Sequence, residues 1–111
     1  MNQTRVDVLV FDGCPHLDVA VQRVRDAAAS LSVAAEIHIV SIENEEQAKE
    51  LRFLGSPTVQ VGGMDVEPAA AQRSEYAMHC RVYSVDGRLD GAPPVDWIRA
   101  ALRQTAKGDD P

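Results

Sequence analysis

Apolar and polar positions divide the chain into short, well-punctuated segments. Arg5-Val-Asp-Val-Leu-Val-Phe11 is rich in β-branched residues and almost continuously apolar after Asp7, the pattern of a central strand covered on both faces. Asp12-Gly13 breaks it. Pro15 suits the first position of a helix, where its missing N–H would have no partner anyway. Leu17, Val21 and Val24 recur at helical spacing beside Ala20, Ala27 and Ala28, which predicts a helix over 15–30. Val33 to Val40 reads as a second strand. The acidic run Glu43-Asn-Glu-Glu46 suits the positive end of a helix dipole; Ala48, Leu51 and Leu54 give that short helix an inward face, and Gly55 stops it. Thr58-Val-Gln-Val61 alternates as a strand, Gly62-Gly63 supplies a two-residue hairpin turn, and Met64 to Val66 returns. Glu67 to Met78, with three consecutive alanines, reads as helical. Cys80 to Val85 reads as extended, Asp86-Gly87 as a turn and Gly91 to Pro94 as a loop. A last helix is expected from Pro94 to about Gln104, with Trp97, Ile98, Ala101 and Leu102 inward.

The order is β-α-β-α-β-β-α, with an extra helical or extended segment before the last helix. A short strand–helix–strand crossover is right-handed and leaves its strands parallel, while the hairpin adds antiparallel ones. The expected fold class is therefore α/β, helices layered on a central mixed sheet. With 111 residues the chain is a single domain over 1–111. A frayed tail is expected over about 106–111.

Composition narrows the function classes. The apolar content of 45% and charged content of 25% are those of an ordinary globular protein. No run of 18 apolar residues exists, so no membrane span is expected, and the N-terminus lacks the pattern of a signal peptide, which makes the cytoplasm the default location. The net charge of −6, with no local basic patch, argues against nucleic acid as a partner. Only two cysteines are present, Cys14 and Cys80, too few for a disulfide scaffold or a four-cysteine zinc site but enough for one redox pair, or for one reactive thiol and one inert one.

The segment order places Gly13-Cys14-Pro15-His16-Leu17 at the C-terminal end of a buried strand, opening a helix. A thiol there faces unpaired backbone N–H groups and a positive dipole end, which favour thiolate over thiol. Asp12 opposes that effect; His16 adds to it where it is protonated or donates a hydrogen bond, and is otherwise a solvated helix residue. The alternative is that Cys14 is a small buried residue at a strand–helix junction. Ser56-Pro57-Thr58 follows a helix-ending glycine and precedes a strand, a natural position for a cis peptide bond. If the third strand runs antiparallel to the first, Pro57 falls beside Cys14.

These residues resemble the thioredoxin-like superfamily: Cys14-Pro15 after the first strand, Gly55-Ser56-Pro57-Thr58 before the third, and Gly62-Gly63 at the hairpin. The resemblance covers roughly residues 5–66 and the final helix. It implies a three-layer thioredoxin-like fold, a nucleophilic Cys14, a cis Pro57, and a Ser56 whose backbone is offered to an extended substrate. The family's second motif cysteine is replaced by Leu17, so a dithiol mechanism within the motif is impossible. A closer resemblance is to small bacterial thioredoxin-fold proteins called the DF family, some of them selenoproteins. It is carried by Phe11-Asp12-Gly13-Cys14-Pro15, Leu54-Gly55-Ser56-Pro57-Thr58, Asp65-Val66-Glu67-Pro68, Cys80-Arg81-Val82-Tyr83 and Pro93-Pro94 before Trp97. It implies redox or soft-metal chemistry at Cys14; some sequences of this kind carry an alkylmercury lyase label.

The role of Cys80 depends on where the chain travels after the hairpin. If residues 67–79 return it to the same edge, Cys80 is a resolving or co-binding thiol for Cys14; otherwise it is a buried strand-end residue. Cys14-x-His16 and His79-Cys80 are too tightly spaced for an ordinary zinc site, and no metal or cofactor is expected. Arg81 and Arg52 are candidates for attracting an anionic substrate, or plain surface charges. Tyr76 and Tyr83 line a pocket or pack, and Trp97 belongs to the core. The expected site therefore comprises Cys14, Cys80 and His16 for chemistry, with Pro15, Ser56, Pro57, Thr58 and Arg81 contacting substrate. Three readings stay open. One is a thiol-disulfide or peroxide oxidoreductase acting on a small thiol, a disulfide, a protein disulfide or a peroxide, with Cys80 or an external thiol resolving the intermediate. Another is a soft-metal or organomercurial protein, for which Asp12 or Asp65 would supply the acid. The last is a binding module that has lost the chemistry. Oligomeric state is not legible.

Overall fold

The computed structural model describes residues 3–108. Ten elements follow one another: β1 (Gln3–Val10), α1 (Leu17–Ser30), β2 (Ala34–Ser41), α2 (Glu45–Glu50), β3 (Thr58–Val61), β4 (Met64–Asp65), a single 3₁₀ turn (Ala70–Gln72), β5 (Tyr83–Val85), β6 (Arg88–Asp90) and α3 (Val95–Gly108). The main sheet has the order β2-β1-β3-β4 and a separate two-stranded sheet joins β5 to β6. β1 runs parallel to β2, from Gln3 opposite Ala34 to Val10 opposite Ser41. β3 runs antiparallel to β1, with Leu9 opposite Thr58. The protein is thus a mixed α/β fold whose four-stranded mixed sheet has β1 at its centre.

The pleat of β1 sorts its side chains. Val6, Val8 and Val10 join Ala20, Val24 and Ala27 of α1, Val59 and Val61 of β3, and Ile98 and Leu102 of α3 in the larger core. Leu9 points the other way, into a smaller cluster with Ile42, Ala48 and Phe53. That second face is covered only toward the C-terminal end of β1. Farther back it carries the Arg5–Asp7 ion pair and stays partly wet. Hence β1 is buried on both faces over only part of its length, less than its composition predicts.

Several boundaries differ from expectation. α1 begins at Leu17 rather than Pro15, because Phe11 to Cys14 closes a turn (Cys14 N–H to Phe11 O, 3.3 Å) with Gly13 at φ +82°, and Pro15-His16 forms a further turn before the helix. His16 is the N-cap residue, without a side-chain capping bond. α2 is capped by Asn44, whose side chain accepts from the Gln47 N–H at 2.8 Å. α3 runs past Gln104 to Gly108, taking in residues 106–108 of the expected tail; 109–111 lie outside the described residues.

The largest departure is the stretch 67–78, expected as a helix. Only Ala70–Gln72 makes a helical turn. Alanine propensity is a weak prior, and here tertiary bonds outcompete it. The Glu67 N–H donates to Asp65 Oδ1, Glu67 accepts from Arg73 and Arg81, and the Ala77 N–H donates to the Phe53 carbonyl.

Candidate functional site

The candidate site forms where β1 ends and β3 begins. Ser56 is buried at this junction and its Oγ accepts from the Phe11 N–H at 3.4 Å. Phe11 in turn anchors the turn that ends at Cys14. On its other side Ser56 forms a parallel bridge with Cys80. The Ser56 N–H donates to the His79 carbonyl at 2.9 Å, and the Arg81 N–H donates to the Ser56 carbonyl at 3.0 Å. The chain after the hairpin therefore does return, as an extended strap beside residues 53–56 rather than through a helix. Both cysteines attach, through Ser56, to one end of the sheet. Both are free thiols, Cys14 partly buried and Cys80 exposed.

Cys14 rests against the larger core together with Leu17 and Val21. It precedes the N-cap by two residues, so the first helical N–H groups lie farther along the chain than the expected boundary implied. The dipole effect is confined to the first turn and so acts less on Cys14. Pro15 and His16 are exposed in the connecting turn. The His16 imidazole lies against Gly91: a Cβ built on that glycine would meet Nε2 at 2.6 Å. This glycine brings the loop before α3 up to the Cys14 turn.

The residues expected to contact substrate are placed differently. The Ser56–Pro57 bond is cis, but Ser56, Pro57 and Thr58 are all buried. The backbone N–H and carbonyl of Ser56 are already bonded to the chain's own strap. The Pro57 carbonyl accepts from the Tyr83 hydroxyl at 2.6 Å. Thr58 Oγ1 donates to the Gly55 carbonyl at 2.6 Å and accepts from Arg81 at 3.0 Å.

Arg81 is only 2% exposed. Its Nη1 donates to Asp65 Oδ2 at 2.7 Å, and its Nη2 to Asp65 Oδ1 at 3.1 Å and Glu67 Oε1 at 2.6 Å. The guanidinium also stacks over the Tyr83 ring, 4.4 Å from its centroid. Burial works against its charge, but the bonds to Asp65 and Glu67 outweigh burial and hold the Arg81 pKa above the usual arginine range. Burial is also the main reason that the Tyr83 phenol is pushed well above the ordinary tyrosine range. Arg81 thus faces inward as an internal clamp, and Asp65 is committed to it rather than free as an acid.

Sequence reasoning named Asp65 as an acid and Tyr83 as a pocket or packing residue, but did not join them and Glu67 to Arg81. Part of the signal was present: two carboxylates, Asp65 and Glu67, stand two apart at the end of the hairpin, where burial calls for a facing cation. Trp97 meets Tyr83 edge to face at 6.2 Å and 65° and is partly buried against the core.

Two hollows flank these elements. One, of about 630 Å³, opens at the candidate end and is lined by Phe11, Asp12, Ser41, Ile42, Glu43 and Met78. The other, of about 610 Å³, is lined by residues of the β3–β4 hairpin and α3 with Tyr76, and contains none of the expected site residues. Among the described residues, no three His, Cys, Asp or Glu side chains converge to hold a metal ion, so Cys14, His16, His79 and Cys80 do not form the Cys/His cluster considered from the sequence. Nor is any described helix long and apolar enough to cross a membrane. No family profile, curated protein or solved structure matches the chain.

Proposed function

We propose that the protein is a thiol-dependent oxidoreductase of thioredoxin-like type, with Cys14 as nucleophile and Cys80 as resolving thiol. The observation that carries this reading is the strap: His79 to Arg81 pairs with Ser56, and so supplies a second thiol to the sheet end that already holds Cys14. The sheet order β2-β1-β3-β4, with β1 and β2 parallel and β3 antiparallel, supports the thioredoxin-like arrangement.

The reaction runs in two displacements. The Cys14 thiolate attacks one sulfur of a substrate disulfide, forming a mixed disulfide and releasing the other sulfur as a thiolate. The Cys80 thiolate then attacks Cys14 Sγ, releasing the second substrate thiolate and leaving a Cys14–Cys80 disulfide. Two electrons pass to the substrate, and an external thiol reductant restores the dithiol. Because Ser56 is engaged by the strap, substrate approaches over the exposed Pro15-His16 turn and the hollow lined by Phe11 and Asp12 rather than along the Ser56 backbone.

Mass spectrometry after exposure to oxidised glutathione tests the proposal. The wild type should lose both free thiols without retaining an adduct, and Cys80→Ser should retain glutathione on Cys14. Two free thiols in the treated wild type would defeat it. Two-thiol capture of mercuric ion by a chain that forms no disulfide would favour the soft-metal reading instead.

A further inference from the structure

β2 is the outermost strand of the main sheet and, among the described residues, nothing pairs with its outer edge. It is eight residues long, with no proline, lysine or bulge of the kind that guards open edges. Ile39, in its second half, is 57% exposed. From this edge we infer that two copies of the chain join β2 to β2 antiparallel, forming one continuous eight-stranded sheet with a two-fold axis at Ile37.

The strand's own pattern selects that register. With Ile37 opposite its copy, Glu36 stands opposite His38 of the second copy, and Ala35 opposite the exposed Ile39 of the second copy. Glu36 and His38 share one face by the alternation of the strand, Ala35 and Ile39 the other. The existing ladder extends the match. Arg5 is paired with Glu36, and Asp7 with His38. Across the joined sheet one row then reads Arg5, Glu36, His38 of the second copy, Asp7 of the second copy, four groups of alternating sign when His38 is protonated. A row on the opposite face reads Thr4, Ala35, then Ile39 and Val8 of the second copy. Sliding the register by two residues one way sets Glu36 against its copy, and like charges directly opposite are destabilising; sliding it the other way sets His38 against its copy and gives up its Glu36 partner. Within one chain Glu36 Oε2 already lies 3.0 Å from His38 Nε2, so the dimer closes a four-membered charge cluster at the axis.

Sedimentation of the full chain over a concentration series tests this. The wild type should pass from monomer to dimer. Ile39→Lys, which sets an ammonium against Ala35 at the open edge, should leave a monomer with unchanged far-UV circular dichroism. His38→Glu, which sets carboxylates against Glu36 at two symmetric positions, should weaken the dimer on the order of tenfold, and adding Glu36→His should restore it. A wild type that stays monomeric at its highest soluble concentration would overturn the inference. So would a dimer that none of these changes moves.

Discussion

Replacing Arg81 by methionine tests the interior clamp directly. The guanidinium is nearly inaccessible, with a side-chain exposure of 1%, and its partners Asp65 and Glu67 keep only 10% and 16%. Methionine fills most of the volume but removes the charge and all four hydrogen bonds. Glu67 retains Arg73, whose Nη1 lies 2.9 Å away. Asp65 retains only the Glu67 N–H, so one carboxylate, not two, is left buried without a countercharge. Removing one partner of a buried pair costs about 3–5 kcal/mol, and the single orphaned carboxylate points to the lower end, about 3 kcal/mol. At about 4 °C per kcal/mol for a domain of this size, Tm should fall by roughly 12 °C. Urea unfolding measures the loss. Adding Asp65→Asn in the Arg81→Met background should recover part of it, because the uncompensated charge is gone. A loss below about 1 kcal/mol, the range of an exposed ion pair, would refute the clamp.

Other substitutions probe the same junction. Tyr83→Phe removes the hydroxyl that donates to the Pro57 carbonyl and should cost about 1–3 kcal/mol by leaving a buried acceptor unpaired, as read by urea unfolding. Gly55→Ala should cost at least about 2 kcal/mol, since φ is +128° and the new Cβ would stand 2.9 Å from Arg81 Cβ; an unchanged Tm would refute that packing. Tyr83 also sets an alkaline dependence. Its pKa is raised in the folded state, so its contribution is fully present below the unfolded value of about 10 and declines above it. The stability gap between wild type and Tyr83→Phe should narrow as pH rises through that value.

The parts of the fold legible in the sequence were those written in local pattern. The Val-rich β1, the helical spacing of Leu17, Val21 and Val24, the alternation of Thr58 to Val61 and the Gly62-Gly63 turn each encode their element within a few residues. The turn needs left-handed backbone, and both glycines adopt it, at φ +59° and +85°. The stretch 67–79 was not legible because its conformation is set by partners far along the chain: Ala77 bonds to Phe53 and His79 to Ser56. Three alanines promise a helix only where nothing stronger competes. β6 pairs with β5 across Asp86-Gly87, whose φ values of +51° and +79° make the tight turn, yet Arg88-Leu-Asp90 carries no strand pattern of its own.

The two cysteines consequently differ in what holds them. Cys14 is placed locally, by a turn closed on Phe11 and by packing against the core beside Leu17. Cys80 is placed remotely: the residue before it bonds Ser56 and the residue after it is locked into Asp65, Glu67 and Thr58. Loosening the Arg81 clamp should therefore free Cys80 while leaving the Cys14 turn in place. In Arg81→Met, studied at a temperature where it remains folded, alkylation of Cys80 should speed up relative to Cys14, measured by mass spectrometry of the labelled peptides. Equal acceleration of both would mean that the strap does not set the position of Cys80 separately, and the division of labour between the two thiols would fall with it.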